Sequence, residues 1–287
     1  MMRTWIALTL SIVVMGMGQA DACDRDGKTG LFRQNNLQIS PESLTSNVSK
    51  ENFEQILDRL DKLYTPIVAK AGGKLIMKGN WESGTVNAFA KQEGRDWFVN
   101  MFGGLARHKA MTGDGLALVV CHELGHHLGG YPRYKGRWAS NEGQSDYYAS
   151  VKCFRRYALE DDNVDLMADV KIPSTVRAFC GFVHEGDEER AICHRTALAG
   201  LSLAGVFFHL RKLSTPLTFD SPSGKQVKKT SHSHPGPQCR LDTYFYGALC
   251  SEKDSFKEEG ADSSKGFCSI EEGSMALLSR PRCWYHP

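Results

Sequence analysis

Two histidines four residues apart, with a glutamate directly after the first, stand in the stretch His122-Glu123-Leu124-Gly125-His126. On an α-helix, positions i and i+4 share one face, so the two imidazoles can hold one ion between them. Glu123 is turned away from that axis and lies beside the ion rather than on it. Imidazole suits zinc, and a neighbouring carboxylate can take a proton from a water that the ion activates. The motif follows an apolar run, Leu116 to Val120. The spacing predicts an amphipathic helix over Gly113 to Leu128, with Thr112 as its N-cap and Gly129-Gly130 as its stop.

A catalytic zinc needs a third protein ligand. The metzincin pattern supplies a third histidine through His-x-x-Gly-x-x-His. Here Gly129 fits, but Pro132 stands in the final position, so that design fails. A second segment, Asn141-Glu142-Gly143-Gln144-Ser145-Asp146, offers Glu142 and Asp146 four apart on one face of a helix predicted over Ser140 to Leu159. A metal-ligating carboxylate and an acid that hydrogen-bonds a ligand histidine have this spacing. The competing reading of the pair is a solvated acidic helix face.

With both motifs in view, the chain resembles the gluzincin metallopeptidases. His-Glu-Leu-Gly-His followed by Asn-Glu-x-x-Ser-Asp is similar to the thermolysin-type arrangement. The short spacing, and the strands preceding the motif, look more like the minigluzincins: the HtpX heat-shock proteases, the CAAX prenyl proteases and the mitochondrial Oma-type proteases. The resemblance spans roughly residues 50 to 240 and stops short of the cysteine-containing C-terminus. It implies that His122, His126 and Glu142 bind one zinc ion, that Glu123 is the general base, and that Asp146 supports a ligand histidine. It also implies that Asn87-Ala88-Phe89 is the edge strand on which an extended substrate pairs. Relatives carry a Ser/Thr-His-Pro element before an Arg-Ile or Arg-Leu, and here Ser233-His234-Pro235 precedes Arg240-Leu241. A histidine there can donate to the oxyanion of a peptide tetrahedral intermediate, which makes His234 a further catalytic candidate. An exposed loop histidine is the alternative, and neighbouring His232 shows how easily one occurs. Arg240 has two readings of its own, as a residue that orients a helix or one that orients the substrate.

The elements that must position these residues follow from composition and periodicity. A chain of 287 residues with 41% hydrophobic content is long and apolar enough for a substantial core. A net charge of +2 gives no electrostatic footprint for nucleic acid and no polybasic membrane patch. Residues 1–22 read as a signal peptide, with Arg3 at its start, an apolar stretch from Trp5 to Met17 and a small-x-small site at Ala20-Asp21-Ala22. Cys23 directly after Ala22 leaves a lipid anchor as an alternative. The nine cysteines agree with export to a periplasm, cell envelope or extracellular medium. Their pairing is not deducible, and their odd number leaves at least one over. Cys121, on a buried helix, reads as a free core thiol, whereas bridges are expected among Cys153, Cys180, Cys193, Cys239, Cys250, Cys268 and Cys283.

Along the chain, residues 23–48 read as an irregular lead-in. Phe53, Ile56, Leu57, Leu60, Tyr64 and Val68 give a helical period that ends at Ala71-Gly72-Gly73. Strands are predicted at Lys74–Met77, Thr85–Ala90 and Arg95–Phe102, with a turn at Glu93-Gly94. Tyr131 to Ala139 links the two metal helices as a loop. Asp187 to Leu213 reads as a buried core helix with no further membrane span, and Cys239 to Cys250 as a short helix. The expected architecture is α+β: a small antiparallel-edged sheet packed on a helical metal-binding core, with a disulfide-stapled C-terminal extension. The domain over residues 49–250 would be the peptidase, and residues 251–287 a cysteine-containing tail. The function expected is an exported zinc metalloendopeptidase acting on a protein or peptide. The alternative is an inactive zinc-binding or disulfide-stapled envelope module on the same fold.

Overall fold

Helical periodicity sets the first element. In α1 (Lys50–Lys70), Phe53, Ile56, Leu57, Leu60, Tyr64 and Val68 form one buried stripe, and Ser49 caps the N-terminus by accepting from the Asn52 amide. The computed structural model describes residues 30–252 apart from 34, 44, 135 and 136, together with 265–268 and 278–287. Residues 1–22, expected to be a signal peptide, and Cys23 lie outside the described residues.

Three strands follow: β1 (Lys74–Asn80), β2 (Ala88–Glu93) and β3 (Asp96–Phe102). Their order is β1-β3-β2, with β1 parallel and β2 antiparallel to β3. Gly94, at φ +58°, makes the expected tight turn between β2 and β3. β2 begins three residues later than the alternation suggests. Thr85 bridges Gln38 and Asn87 bonds the backbone of Phe32, so these residues face the lead-in rather than β3.

After a short turn of helix, α2 (Gly103–Ala106), comes α3 (Gly113–Leu128), which carries the first motif. Thr112 caps it by accepting from Gly115, as its sequence position predicts. The helix is buried all round from Gly115 to Leu128 rather than along one stripe, because α1, β2, β3 and later helices surround it. The second metal helix is shorter and less regular than a run from Ser140 to Leu159. Asn141 is the cap of α4 (Glu142–Tyr148), a wider π-turn follows at Ala149–Cys153, and α5 spans Phe154–Ala158. Two short helices, α6 (Asn163–Met167) and α7 (Ser174–Val183), lead to α8 (Asp187–Leu210). α8 is long and apolar enough to cross a membrane, yet 72% of its most apolar stretch is buried within the fold. It is a core helix, and its Arg195 forks onto Asp114 in the first turn of α3 at 2.7 and 3.0 Å. The last helix among the described residues, α9 (Pro237–Ala248), packs on both α8 and α4.

Among the described residues four disulfides close the structure: Cys121–Cys153, Cys180–Cys193, Cys239–Cys283 and Cys250–Cys268. Cys121 is therefore not a free thiol. Its bond ties α3, at the residue before His122, to the π-turn that follows α4. The last two bridges staple the C-terminal segment onto α9. They hold Trp284, fully buried, against Gly143 in the first turn of α4, where even one added carbon would meet the indole at 2.2 Å. Four disulfides are the mark of an oxidising folding environment.

Candidate metal centre

α3 and α4 meet face to face, and the meeting point is polar. Gly125 lets them approach, since a side chain there would come within 2.9 Å of the Ser145 carbonyl. On either side of this contact lie His122, Glu123, His126, Glu142 and Asp146, all fully buried. His122, Glu123 and His126 each offer one ligand atom within 4.8 Å of the others, and this buried group can hold a metal ion. Glu142 closes the same space. Its Oε2 lies 3.4 Å from His122 Nε2 and its Oε1 3.6 Å from His126 Nε2. Ligands on a tetrahedral zinc at bonds of about 2.0–2.2 Å stand about 3.3 Å apart, so these separations suit a shared ion. His122 Nε2 and Glu142 Oε2 are buried and make no hydrogen bond among the described residues. Buried polar atoms are nearly always satisfied, so two facing orphans at this spacing fit a cation between them. Two imidazoles and a carboxylate are the donor set of a catalytic zinc with one position left open.

Each ligand is oriented from behind. His122 Nδ1 stands 2.7 Å from Asp146 Oδ1, which fixes the proton on Nδ1 and turns Nε2 toward the centre. Asp146 accepts both arms of Arg240, Nε at 2.7 Å and Nη2 at 2.6 Å, and the hydroxyl of Tyr244. His126 Nδ1 lies 2.9 Å from the Ser140 carbonyl and 3.0 Å from the Ser145 hydroxyl. Tyr134, from the loop between the helices, donates to Glu142 Oε1 at 3.1 Å.

The electrostatics follow this geometry. Burial works against a charge on His122, but the Asp146 carboxylate outweighs it and raises the imidazole to about 9. At His126, whose Nδ1 faces the Ser140 carbonyl and the Ser145 hydroxyl, burial prevails and lowers the imidazole to about 4. Burial would raise Glu142, yet His234, His126 and His122 around it hold it below the ordinary carboxylate range. Burial pushes Glu123 up to about 8, with His122 opposing and Glu142 reinforcing the shift.

The structure thus brings together six of the residues singled out from the sequence: His122, Glu123, His126, Glu142, Asp146 and His234. His234 Nε2 stands 3.5 Å from Glu142 Oε2 and 3.0 Å from the Gly30 carbonyl. Ala88 and Phe89 do lie on the edge strand β2 and Asn87 directly before it, but the Ala88 carbonyl already accepts from Leu31 at 3.0 Å. Three contributors carry no signal in the sequence alone. The Tyr134 contact joins the linking loop to the site, and the Tyr244 contact depends on a spacing of four from Arg240 along α9. The Gly30–Phe32 stretch belongs to a lead-in with no evident pattern. No family profile, curated protein or solved structure matches this chain, so its class is defined by the site alone: a protein with a buried His-Glu-His group able to hold a metal ion.

Proposed function

We propose that the chain is an exported zinc-dependent endopeptidase of the gluzincin kind, acting on protein or peptide. One observation carries the reading: two imidazoles and a carboxylate converge at 3.4 and 3.6 Å in a buried site, with Glu123 beside them in the same group. His122, His126 and Glu142 would hold the ion. Bound there, zinc supplies a Lewis acid that polarises a carbonyl and makes a water more acidic. Glu123, beside the three residues that would hold the ion, takes the proton of the attacking water and returns it to the leaving amine. His234 donates its Nε2 hydrogen to a carbonyl oxygen, as it does to that of Gly30. Arg240 and Asp146 hold His122 in place. A purely structural zinc has no use for a buried general base, which favours the enzyme over an inactive module. Export accompanies the reading, since the four bridges need an oxidising compartment.

The test is Glu123→Gln, assayed for zinc content and for digestion of a mixed peptide library with and without chelator. Zinc should stay near one per chain while hydrolysis falls by about 10²- to 10⁴-fold, the share that positioned general-base catalysis supplies. A variant that cuts as fast as the parent overturns the mechanism. A parent that cuts nothing while holding zinc favours the inactive module.

A further inference from the structure

Three residues of the lead-in, Gly30, Leu31 and Phe32, lie along the outer side of β2. The Leu31 amide donates to the Ala88 carbonyl at 3.0 Å, and the Phe32 amide to Asn87 Oδ1 at 3.1 Å. The Asn87 side chain returns a bond from Nδ2 to the Phe32 carbonyl at 3.0 Å. One backbone bond and a two-way clasp by the Asn87 side chain hold the segment against the sheet edge, the kind of contact through which an edge strand takes a peptide. The same three residues also reach the metal centre. The Gly30 carbonyl accepts from His234 Nε2 at 3.0 Å, and that nitrogen is 3.5 Å from Glu142. The Leu31 carbonyl accepts from Arg240 Nη1 at 2.6 Å.

We propose that the space between the β2 edge and His234 is a binding groove for an extended peptide, and that Gly30–Phe32 is its resident occupant, a tethered inhibitor that an incoming chain must displace. The identity of that incoming chain as substrate rests on the peptidase reading, whereas the groove and its occupant do not. A segment that merely covered a sheet edge needs Ala88 and Asn87 and has no need to place a carbonyl on His234. Here one peptide unit, Gly30–Leu31, satisfies both edges of the groove: its carbonyl is on the histidine and its amide is on the strand. The fit also selects the residue. A Cβ on Gly30 would stand 1.9 Å from the Ala88 carbonyl oxygen and 2.8 Å from Asn87 Oδ1, so only glycine comes this close. Immediately downstream, the buried Phe32 ring packs on Phe207 with centroids 4.8 Å apart. Further along, the Ile39 amide on the Gly84 carbonyl and the Gln38–Thr85 bridge hold the lead-in, so it stays tethered when Gly30–Phe32 is displaced.

Gly30→Val forces that dislodging. The zinc-loaded variant and its parent would be compared for binding of a fluorescein-labelled Thr-Gly-Leu-Phe-Arg peptide by anisotropy, and for hydrolysis of a quenched peptide library. The apparent dissociation constant is the intrinsic one divided by the fraction of molecules with an open site, so release of an occupant held in roughly nine molecules of ten tightens binding by about tenfold. Faster hydrolysis should accompany it. A folded, zinc-loaded variant that binds the peptide no more tightly than its parent overturns the proposal. Equal binding with equal cutting by both overturns the occupant and leaves the peptidase standing. Tighter binding by the variant with cutting by neither supports the groove and removes the peptidase. Hydrogen exchange on the unmodified chain measures displacement without a variant. Excess peptide should speed exchange of the Leu31 and Phe32 amides while that of Val99, in the central strand, stays fixed, and unchanged exchange at Leu31 overturns displacement.

Discussion

His122 and His126 are the same residue type, one turn apart on one helix and equally buried, yet their surroundings differ in kind. Behind His122 stands an ionic chain: Asp146 at 2.7 Å, gripped by both arms of Arg240, itself fully enclosed. Behind His126 stand a neutral backbone carbonyl and a hydroxyl, at 2.9 and 3.0 Å. Both arrangements turn Nε2 toward the same point. Their electrostatic consequences are opposite, with one imidazole raised to about 9 and the other lowered to about 4. Orientation of a ligand therefore needs only one acceptor behind it, whereas tuning its basicity needs a charge. The centre has one pole held by ions and one held by dipoles, and the two should fail differently.

The hardest test of that contrast is Arg240→Met. It keeps most of the side-chain volume and strands the Asp146 carboxylate, fully buried, without its cation. Breaking one partner of a buried pair costs about 3–5 kcal/mol, which should lower the melting temperature by on the order of 10 °C. Calorimetry in the presence of chelator separates this from any change in metal binding. A loss below about 1 kcal/mol would mean that the ionic pole does no more than a surface pair does. Asp146→Asn is the gentler probe, because an amide preserves shape and one acceptor while removing the charge. Zinc affinity should weaken by about 10- to 100-fold in competition against a chromogenic chelator. Unchanged affinity would show that the charge behind His122 is irrelevant to the ion.

How far the sequence discloses this asymmetry depends on the distance over which each contact acts. α3 is local: the Thr112 cap, the apolar run, the histidine spacing and the glycine stop all lie within twenty residues, and each stands where periodicity puts it. Glu142 and Asp146 are likewise legible as one helix face, though the π-turn at Ala149–Cys153 is not. That turn lies where Cys153 reaches Cys121, a contact between residues 32 apart that no local pattern encodes. The Arg240–Asp146 clamp joins residues 94 apart, and a buried arginine on a short helix carries no mark of its partner. Gly30–Phe32 pairs with β2 through a single strand-like contact, too short for alternation to register. Its one visible hint is the Leu31-Phe32 pair, apolar in an otherwise polar stretch.

The smallest effect belongs to the dipolar pole, and it sharpens the comparison most. Ser145→Ala removes the hydroxyl 3.0 Å from His126 Nδ1 but leaves the Ser140 carbonyl at 2.9 Å. That carbonyl alone fixes the proton on Nδ1 and keeps Nε2 aimed at the ion, so the tautomer survives. The site is buried and the change deletes one oxygen beside a close helix contact, where Gly125 leaves little room for rearrangement. Stability should fall by about 0.5–1.5 kcal/mol, the net worth of one neutral hydrogen bond. Zinc affinity should shift by less than about threefold, well under the change that losing a charged orienting partner brings. The two quantities are read on one sample, by thermal melting with chelator and by chelator competition. If Ser145→Ala weakens zinc as much as Asp146→Asn does, orientation rather than charge governs both histidines, and the distinction between the poles disappears.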